Sequence, residues 1–548
     1  MKDLSKEILA YVLQNAIEHG KADAGRVLPK LFQHGLERSD IAKAMPAIQE
    51  AVKKVNGMKP QEREDAFAKL ADVVKKHVEK DKDLPEIDVG GLKKIVTRMA
   101  PEPSKYAHLG HAMTFLINYM YAQKYKGECL LRLEDTNPEK VSEEYAKAII
   151  EDVRDYLGIP AKKVRYVSDD MAVFYRYAEQ LIKQGDAYIC FCEREKMQKL
   201  RHEGVECECR QFPEKIQIER WKMFVKGKYE AGGAVMRLKG DMSSLNHVMR
   251  DPALLRRVDS AHYRHGKKYK VWPLYDFYNP IEDSLMGVTL ILRSNEFDMR
   301  VELQDKLKEL LGLKKQKIVQ YGRFNVEDFT TKGREIREMF DAGELSGWDD
   351  PRLVTLRALK RRGIQKEALY ELTKQIGLSK HQVNLQFDML AAINRKIVDP
   401  VADRYSFVKD PVKLTLVGVP MIKEVEVPIH PDKKEKKRVS VGEVWISGED
   451  NAKFKGKEVR LLHLYNINLT DKKSSVSSID VKDLPKINWV SNGLSARVLM
   501  PDGKWSEGLI EPLAREIKKD SVVQFERFGF VRYDGTRKGV REFWFAHP

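Results

Sequence analysis

The sequence predicts a multidomain protein in which an α/β region with a parallel sheet lies between a helical N-terminal region and an all-β C-terminal region. Three observations support this fold class. The chain has 548 residues, which is too long for one hydrophobic core and predicts about three to five domains. Strand and helix patterns alternate from Gly91 onward, and short β-rich runs separated by turns replace them after Asp399.

The composition limits the kind of protein this can be. The 98 Lys and Arg residues outnumber the 82 Asp and Glu residues, which leaves a formal net charge of +16. Such an excess favours a polyanionic partner. Because the sequence shows no run of 18 apolar residues and no charged-then-apolar leader, we expect a soluble, cytoplasmic protein that does not associate with a membrane.

The first 80 residues have the apolar period of helices. One stripe includes Leu4, Ile8 and Val12, and similar stripes recur as far as Val74. The segment 75–91 is charged and then carries Pro and Gly, which is typical of a linker. We therefore expect a helical N-terminal domain over 1–90, and its sequence contains no catalytic constellation.

The next region alternates between strands and helices. Strand patterns occur before an interruption at 93–99, 128–134 and 164–167, and after it at 269–277, 287–293 and 317–321. Ser142 and the acidic residues after it predict the start of a helix. This alternation predicts a parallel sheet with its ligands at the carboxyl ends of the strands. The interruption at about 171–271 is basic, and 330–395 reads as helical again.

Four of the five cysteines lie in the interruption as two close pairs, Cys190 with Cys192 and Cys207 with Cys209. A charged segment with a helical pattern separates the pairs. Two such pairs supply the four thiolates of a tetrahedral Zn²⁺ site. The pattern favours a structural zinc site, with free or redox-active thiols and a catalytic metal as the alternatives. Cys129 stands alone in a strand-like run and is expected to be a packing residue.

The chain after Asp399 is rich in short strands. Six β-rich runs follow one another, at 413–417, 424–427, 439–446, 458–464, 496–500 and 522–533. Regularly spaced strands with turns between them predict β-sandwiches or β-barrels.

The most informative motif is the strand-to-helix turn at 97–111. Pro101 and Pro103 separate the strand from the helix. His108 and His111 share one face of the first helical turn, where backbone N–H groups and the helix dipole favour phosphate. Gly110 leaves room for a base or a ribose. These residues alone leave two interpretations open, a nucleotide site and a helix-capping or core role.

The run 100–111, Ala-Pro-Glu-Pro-Ser-Lys-Tyr-Ala-His-Leu-Gly-His, resembles the first signature of class I aminoacyl-tRNA synthetases in the form found in glutamyl and glutaminyl enzymes. Gly-Trp-Asp-Asp-Pro-Arg at 347–352 is also similar to this family. The phrases at 457–461 and 524–530 resemble the archaeal type of glutamyl enzyme, which ends in paired β-barrels. The resemblance covers 91–548, and 1–90 more loosely.

The resemblance implies a specific domain order. A Rossmann-type catalytic domain would consist of two halves, 91–170 and 272–326. An acceptor-stem-binding domain with the four-cysteine knob would be inserted at 171–271. A helical stem-contact domain would follow at 327–398, and two β-barrel anticodon-binding domains would occupy 399–548.

The implied activity is that of a glutamate–tRNA ligase, which uses ATP with Mg²⁺ to form glutamyl-adenylate. The glutamyl group then passes to the 3′ end of tRNA(Glu), and in some archaeal members also of tRNA(Gln). His108 and His111 would be catalytic. The residues implied at the ATP site are these two histidines with Leu109, Gly110, Arg323 and Phe324.

The resemblance also implies the site for L-glutamate, made of Arg98, Ala100, Glu102, Glu134, Tyr275, Asn279 and Arg293. Glu134 would pair with the substrate ammonium group. Glutamyl enzymes carry an arginine at the position of Arg293. Since glutamate and glutamine are nearly isosteric, a buried guanidinium can separate them, because a neutral amide leaves its charge unpaired. Whether Arg98 or Arg293 holds the side-chain carboxylate stays open.

One part of the sequence departs from the family. A second signature, similar to Lys-Met-Ser-Lys-Ser, normally supplies a lysine to the phosphates. Here the expected lysine falls at Gly333 in the glutaminyl pattern and at Glu335 in the archaeal glutamyl pattern. Lys332 and Arg334 flank these positions, and we expect them to substitute as catalytic cations.

Candidate tRNA contacts in the β-rich region are Arg527, Arg532 and Trp489, because arginines bind phosphates and aromatic rings stack on bases. Two other functions remain possible. A glutaminyl enzyme is one, and Arg293 argues against it. A non-catalytic tRNA-binding paralogue is the other; the degenerate loop suggests it and the intact first signature opposes it.

Overall fold

The computed structural model describes residues 4–37, 40–74, 83–327, 329–470 and 472–548. It divides into two compact units, Met1–Lys82 and Asp83–Pro548. Residues 75–82 of the predicted linker at 75–91 lie outside the described residues. No described helix is both long and apolar enough to cross a membrane.

The first unit is helical, as its apolar period predicts. The side chain of Asp23 caps its second helix by accepting a hydrogen bond from the Arg26 N–H. The apolar faces meet in one core that includes Tyr11, Leu13 and Ile48. Its helices are α1 (Ser5–His19), α2 (Ala24–Leu31), α3 (Ile41–Asn56) and α4 (Pro60–Ala68).

The second unit contains the helices α5 (Leu109–Lys124), α6 (Glu143–Glu151), α7 (Met171–Lys183), α8 (Arg194–Glu203), α9 (Glu214–Val225), α10 (Tyr275–Leu285), α11 (Val301–Leu311), α12 (Gly333–Asp341), α13 (Leu356–Arg362), α14 (Lys366–Ile376), α15 (Phe387–Val398) and α16 (Gly448–Phe454). The predicted cap of α6 is confirmed, because the Ser142 side chain accepts from the Tyr145 N–H.

A parallel sheet is present, as predicted. Strands β1 (Val96–Met99), β2 (Glu128–Leu133) and β3 (Val164–Tyr166) pair in parallel in that order. The Thr289 N–H donates to the Val96 carbonyl over 3.0 Å, which brings the next parallel pair beside β1. The carboxyl ends of β1 and β2 therefore lie next to each other, and Arg98 and Arg132 are placed near these ends.

An antiparallel sheet occupies the interruption. It consists, in order, of β4 (Ala187–Cys190), β5 (Val235–Leu238), β6 (Ala253–Arg257) and β7 (Val271–Pro273). The predicted strand at 269–277 is wrong in extent and partner. Its strand part is β7, which pairs antiparallel with β6. Pro273 has no N–H with which to continue the ladder, and helix α10 begins at Tyr275.

The parallel pair beside β1 is formed by β8 (Leu290–Ser294) and β9 (Lys317–Tyr321). Strand β9 has the bounds that the sequence predicts. A further short parallel pair, β10 (Phe324–Val326) and β11 (Val383–Leu385), connects the chain after β9 to the helices α12–α15.

The C-terminal region is built of strands, as predicted. They are β12 (Arg404–Tyr405), β13 (Phe407–Lys409), β14 (Pro411–Leu414), β15 (Leu416–Val417), β16 (Glu424–Pro428), β17 (Lys436–Ser440), β18 (Val444–Ser447), β19 (Glu458–Leu461), β20 (Asn466–Asn468), β21 (Ser474–Ser478), β22 (Lys486–Ile487), β23 (Val490–Ser491), β24 (Leu494–Leu499), β25 (Trp505–Ile510), β26 (Val522–Phe525), β27 (Gly529–Arg537) and β28 (Val540–His547).

Two β cores are nested along the chain. Seven strands form one sheet in the order β12-β26-β27-β28-β24-β25-β13. Its edge strands β12 and β13 are separated only by Ser406, so the sheet curls back on itself into a nearly closed barrel. Strands β14–β23 form smaller sheets around a second core that includes Tyr465 and Trp489. In the sequence, the strands around the second core therefore lie between two parts of the seven-stranded sheet, after β13 and before β24.

Two predicted strands are each divided by a turn. The run 439–446 is split between β17 and β18. The run 522–533 is a hairpin of β26 and β27. Arg527, between these two strands, has a φ of 60°, a left-handed conformation that turns the backbone.

Candidate active site and cysteine cluster

The turn between β1 and α5 opens onto a cavity of about 840 Å³. His108, Gly110 and His111 line it from one side. Arg323 and Phe324, which follow β9, line it from another. The structure thus brings together the predicted ATP-site residues except Leu109, which is fully buried in the core.

The two histidines also cap helix α5. His108 is the N-cap residue, and its Nδ1 accepts a hydrogen bond from the Gly110 N–H over 3.1 Å. The His108 N–H in turn donates to His111 Nδ1 over 3.2 Å. The two ring centroids are 3.9 Å apart. The capping role and the placement on the cavity, which were alternatives at the level of the sequence, therefore occur together.

Burial and the capping hydrogen bonds together determine the charge of both rings and the nitrogen that carries the proton. Burial lowers the pKa of His108 well below its usual range, and it lowers the pKa of His111 to about 3. Both rings are therefore neutral near pH 7. Since each Nδ1 accepts a backbone hydrogen bond, the proton of each neutral ring is on Nε2. The site has two Nε2–H donors suited to phosphate oxygens.

Buried ion pairs support the carboxyl ends of β1 and β2. Arg98 Nε donates to Asp283 Oδ1 over 3.0 Å, and Arg132 Nη1 donates to the same oxygen over 2.7 Å. Arg132 Nη2 donates to Glu134 Oε1 over 2.8 Å. These four side chains are nearly inaccessible to solvent. Arg98, which the sequence places on the amino acid side, is thus held by a carboxylate of α10.

Helix α10 adds polar groups to this pocket. The Tyr278 hydroxyl donates to Glu134 Oε2 over 3.1 Å. The Asn279 amide fits with its oxygen accepting from Arg132 Nη2 over 2.8 Å. Burial raises the pKa of Tyr275, with further effects from the charges of Glu134, Arg293 and Arg98. Tyr275 therefore lies among the charged residues that the sequence assigns to glutamate.

Arg293 is the penultimate residue of strand β8 and is only 4% exposed. Its Nη1 donates to Gln304 Oε1 over 2.8 Å. Within the described parts of the chain, Nε and Nη2 of this guanidinium have no hydrogen-bond partner. Its carbon lies 5.7 Å from the centre of the Phe297 ring. Arg293 therefore retains the capacity to bind an anionic group in a buried setting.

The remaining residues predicted for glutamate lie at the edge of this arrangement. Ala100 is half-buried after β1. Glu102 is exposed, and its carboxylate accepts from the Ser104 hydroxyl over 2.8 Å. The structure shows no contact between Glu102 and the buried ion pairs in the described chain.

The predicted loop cations occupy different positions. Lys332 lines the cavity, but its side chain is 78% exposed and its Nζ lies 2.7 Å from Glu335 Oε1. Arg334 is 87% exposed, pairs with Glu338 over 2.8 Å, and is not among the residues that line the cavity. The structure thus separates Arg334 from the site.

The three predicted tRNA contacts all have partners within the protein. Arg527 binds Asp450 through two hydrogen bonds of 2.6 and 2.8 Å. Arg532 pairs with Asp520 and Asp534. Trp489 is 5% exposed, and its indole N–H donates to the Leu462 carbonyl over 2.8 Å. The Trp489 ring belongs to a β core and is almost fully buried, and its contact with tRNA stays a prediction.

The four paired cysteines meet at one point. Their Sγ atoms all lie within 4.8 Å of one another, and those of Cys190 and Cys207 are 4.0 Å apart. Tetrahedral coordination at a metal–sulfur distance of about 2.3 Å places sulfur atoms ~3.8 Å apart. Helix α8 forms the charged segment between the pairs, as predicted. The cluster is thus compatible with a bound metal ion. Cys129 lies apart from it, packed against the core of the parallel sheet.

Three residues of the site were missed by the sequence analysis. Arg132 and Asp283 form the centre of the buried ion pairs, and Lys105 lines the cavity beside His108 and His111. A signal for Arg132 existed, because this arginine stands between two leucines in the apolar part of its strand. Asp283 lies in α10, far away in sequence, and only the tertiary structure connects it to Arg132.

Comparison with known proteins agrees with this arrangement. A family model described as the catalytic domain of tRNA synthetases class I (E and Q) matches residues 94–400. Two models for anticodon-binding domains of the same group match 402–483 and 483–534.

Curated relatives match over nearly the full length. A glutamate–tRNA ligase of Thermococcus onnurineus is 37% identical over 98% of this chain and 99% of the relative. One of Pyrococcus abyssi is 38% identical over 97% of each chain. One of Thermococcus kodakarensis is 36% identical over the whole of both chains. The chain therefore belongs to the class I tRNA synthetases of the E and Q group.

Proposed function

We propose that this protein is a glutamate–tRNA ligase, which activates L-glutamate with ATP and transfers it to the 3′ end of tRNA(Glu). The observation that carries this proposal is the buried Arg293, whose charge is not balanced by a carboxylate in the described chain. Arg98 and Arg132, in contrast, share Asp283, and Arg132 also binds Glu134.

The charge of the pocket favours glutamate. Three buried guanidinium groups face two buried carboxylates, so one positive charge is in excess. The neighbouring acids Asp276 and Glu282 are each paired with an arginine of their own, Arg300 and Arg165. Glutamate carries a net charge of about −1 at neutral pH and glutamine carries none. Bound glutamate neutralises the pocket, whereas bound glutamine leaves a buried charge unpaired, which costs several kcal/mol.

The cavity beside His108 and His111 would bind the second substrate, ATP. ATP would bring Mg²⁺ bridging its phosphate oxygens. In the first step an α-carboxylate oxygen of glutamate bonds to the α-phosphorus, and the bond from this phosphorus to the bridging oxygen breaks. Diphosphate leaves with the electron pair, and no proton is transferred. The Nε2–H groups of His108 and His111 stabilise the negative charge on the phosphates as neutral donors.

The second step moves the glutamyl group. A ribose hydroxyl oxygen at the tRNA 3′ end bonds to the glutamyl carbonyl carbon, AMP leaves with the electron pair of the broken C–O bond, and the hydroxyl proton is released. We assign the β-rich region 399–548 to the anticodon end of tRNA(Glu), a role that the match to anticodon-binding models supports. The inserted sheet β4–β7 and helices α12–α15 would contact the stem.

We also propose that Cys190, Cys192, Cys207 and Cys209 bind one structural Zn²⁺. Their sulfur separations suit a tetrahedral thiolate site. The ion would connect the end of β4 to the segment after α8, and metal binding of this kind contributes to the free energy of folding.

ATP–diphosphate exchange tests the proposed activity. The reaction is run with glutamate and separately with glutamine, each with tRNA(Glu) and with tRNA(Gln), because enzymes that resemble this one require tRNA for activation. We expect exchange with glutamate. Exchange with glutamine alone, or with neither amino acid, contradicts the proposal.

A further inference from the structure

The loop 329–337 lacks a lysine at either position where the family pattern expects one. The two cations that flank these positions form ion pairs with acidic residues of α12. Lys332 pairs with Glu335, and Arg334 pairs with Glu338. Both side chains are mainly exposed to solvent. The cavity nevertheless contains a lysine from another part of the chain.

Lys105 enters the cavity from the turn that carries the histidines. It lies three residues before His108, is half-buried, and lines the same wall. Its Nζ donates to the Thr331 carbonyl over 2.9 Å, so the ammonium group reaches across to the loop 329–337. The proximity of its charge contributes to the lowered pKa of both His108 and His111. Lys105, His108 and His111 therefore surround the same part of the cavity.

The stem of Lys105 lies beside the point where a side chain at position 333 would begin. A Cβ atom added to Gly333 would be 3.4 Å from Lys105 Cδ and 3.6 Å from Lys105 Cβ. Position 333 is where the glutaminyl pattern has its lysine. The φ of Gly333 is not in the left-handed region, so its backbone does not require glycine. A side chain at 333 would thus begin in ordinary contact with the stem of Lys105, and also 3.4 Å from Arg337 Nη1.

We propose that Lys105 supplies the cation that binds the ATP phosphates, in place of the lysine missing from the loop 329–337. An ammonium group has three donors. One holds the Thr331 carbonyl, and two remain for phosphate oxygens. The positive charge stabilises the diphosphate as the bond to the α-phosphorus breaks and the electron pair leaves with the bridging oxygen. This inference rests on the proposed activity, which it deepens.

Variants of Lys105 test the charge separately from the hydrogen bond. Lys105→Gln keeps a donor for Thr331 but removes the charge, and Lys105→Arg keeps the charge. In ATP–diphosphate exchange we expect kcat/KM for ATP to fall about 100-fold in Lys105→Gln and less than about 10-fold in Lys105→Arg. Lys315→Ala, an exposed lysine paired with Glu309, is the control and should remain within about twofold.

A relocated lysine gives a second test. In the double variant Lys105→Ala/Gly333→Lys, the new side chain starts next to the position from which the stem of Lys105 was removed. We expect it to recover at least about tenfold of the activity that Lys105→Ala loses. If Lys105→Gln stays within about threefold of the unmodified protein, Lys105 is only a loop contact and the inference is overturned.

Binding of Mg·ATP distinguishes failure of this inference from failure of the proposed activity. If the unmodified protein shows no exchange with glutamate, the activity is refuted, but its affinity for Mg·ATP can still be compared with that of Lys105→Gln by calorimetry. Weaker binding by the variant, with an unchanged melting temperature, supports the role of Lys105. Equal binding overturns it.

Discussion

Asp283 binds Arg132 over 2.7 Å in a place where the two side chains are 1% and 0% exposed. The same carboxylate oxygen accepts from Arg98. A buried carboxylate that serves two guanidinium groups connects α10 to β1 and β2. It thereby positions the strand ends that carry the proposed amino acid pocket, and the energetic cost of losing it should be large.

We expect Asp283→Asn to destabilise the protein by about 3–5 kcal/mol, because it leaves buried arginines without their counter-charge. Calorimetric melting measures the effect. Glu143→Gln is the control, since it removes an exposed pair with Lys147 and should change stability by less than about 0.5 kcal/mol. Equal melting temperatures for the two variants would show that the buried pairs are not needed for stability.

Arg293→Gln removes the unpaired charge and leaves a shorter, neutral side chain that can still donate a hydrogen bond. We expect kcat/KM for glutamate in ATP–diphosphate exchange to fall about 10²- to 10³-fold, and the preference over glutamine to decrease, because the pocket loses its excess charge. The affinity for tRNA, measured by filter binding, should not change. Arg26→Gln, an exposed arginine of the first unit, serves as control. Unchanged glutamate kinetics would remove Arg293 from the pocket.

The purified protein should contain about one zinc ion per chain by plasma mass spectrometry. Cys190→Ser should lose the ion and melt at a lower temperature, because the ion connects segments of a small sheet. Cys129→Ser should retain it, since Cys129 packs in a different core. Retention of full zinc content by Cys190→Ser would refute the proposed ligand set.

The histidines of α5 should stay neutral throughout the physiological range. With a folded pKa of about 3 for His111, and one well below the usual range for His108, neither ring should titrate between pH 5 and 8 in spectra of histidine labelled at Cε1. The unfolded chain should titrate near pH ~6.5. A folded-state transition of His111 close to 6.5 would contradict the assigned neutral donors.

The same pKa shifts have a consequence for stability. Between about pH 6.5 and the lower folded values, the unfolded chain binds protons that the folded chain does not. The free energy of unfolding is therefore fully retained above pH ~6.5 and decreases as the pH falls below it, by at most about 1.4 kcal/mol per pH unit for each ring. Urea unfolding at pH 7 and pH 5 measures this, and His111→Asn should reduce the difference.

Much of the fold could be predicted because local signals were strong. The helical first unit, the parallel strands and the Ser142 cap depend on periodicity and on hydrogen bonds between near neighbours. The strand predictions were wrong where the chain reverses its direction and where a strand pairs with a different neighbour from the one expected. Tyr275 begins a helix after Pro273, and the run 522–533 turns at Arg527, whose positive φ of 60° is not encoded by a glycine.

By itself, the sequence determined the family, the signature turn with His108 and His111, and the two cysteine pairs, because each is a pattern of residues close together in the chain. Only the tertiary structure decided which charges meet. Asp283 reaches Arg132 and Lys105 reaches Thr331 across separations of 151 and 226 residues. The reason is physical, since burial and ion pairing depend on distances in space that no local pattern specifies. The signature turn carries the histidines of the proposed nucleotide site, and the packing around it places Lys105 at the same cavity.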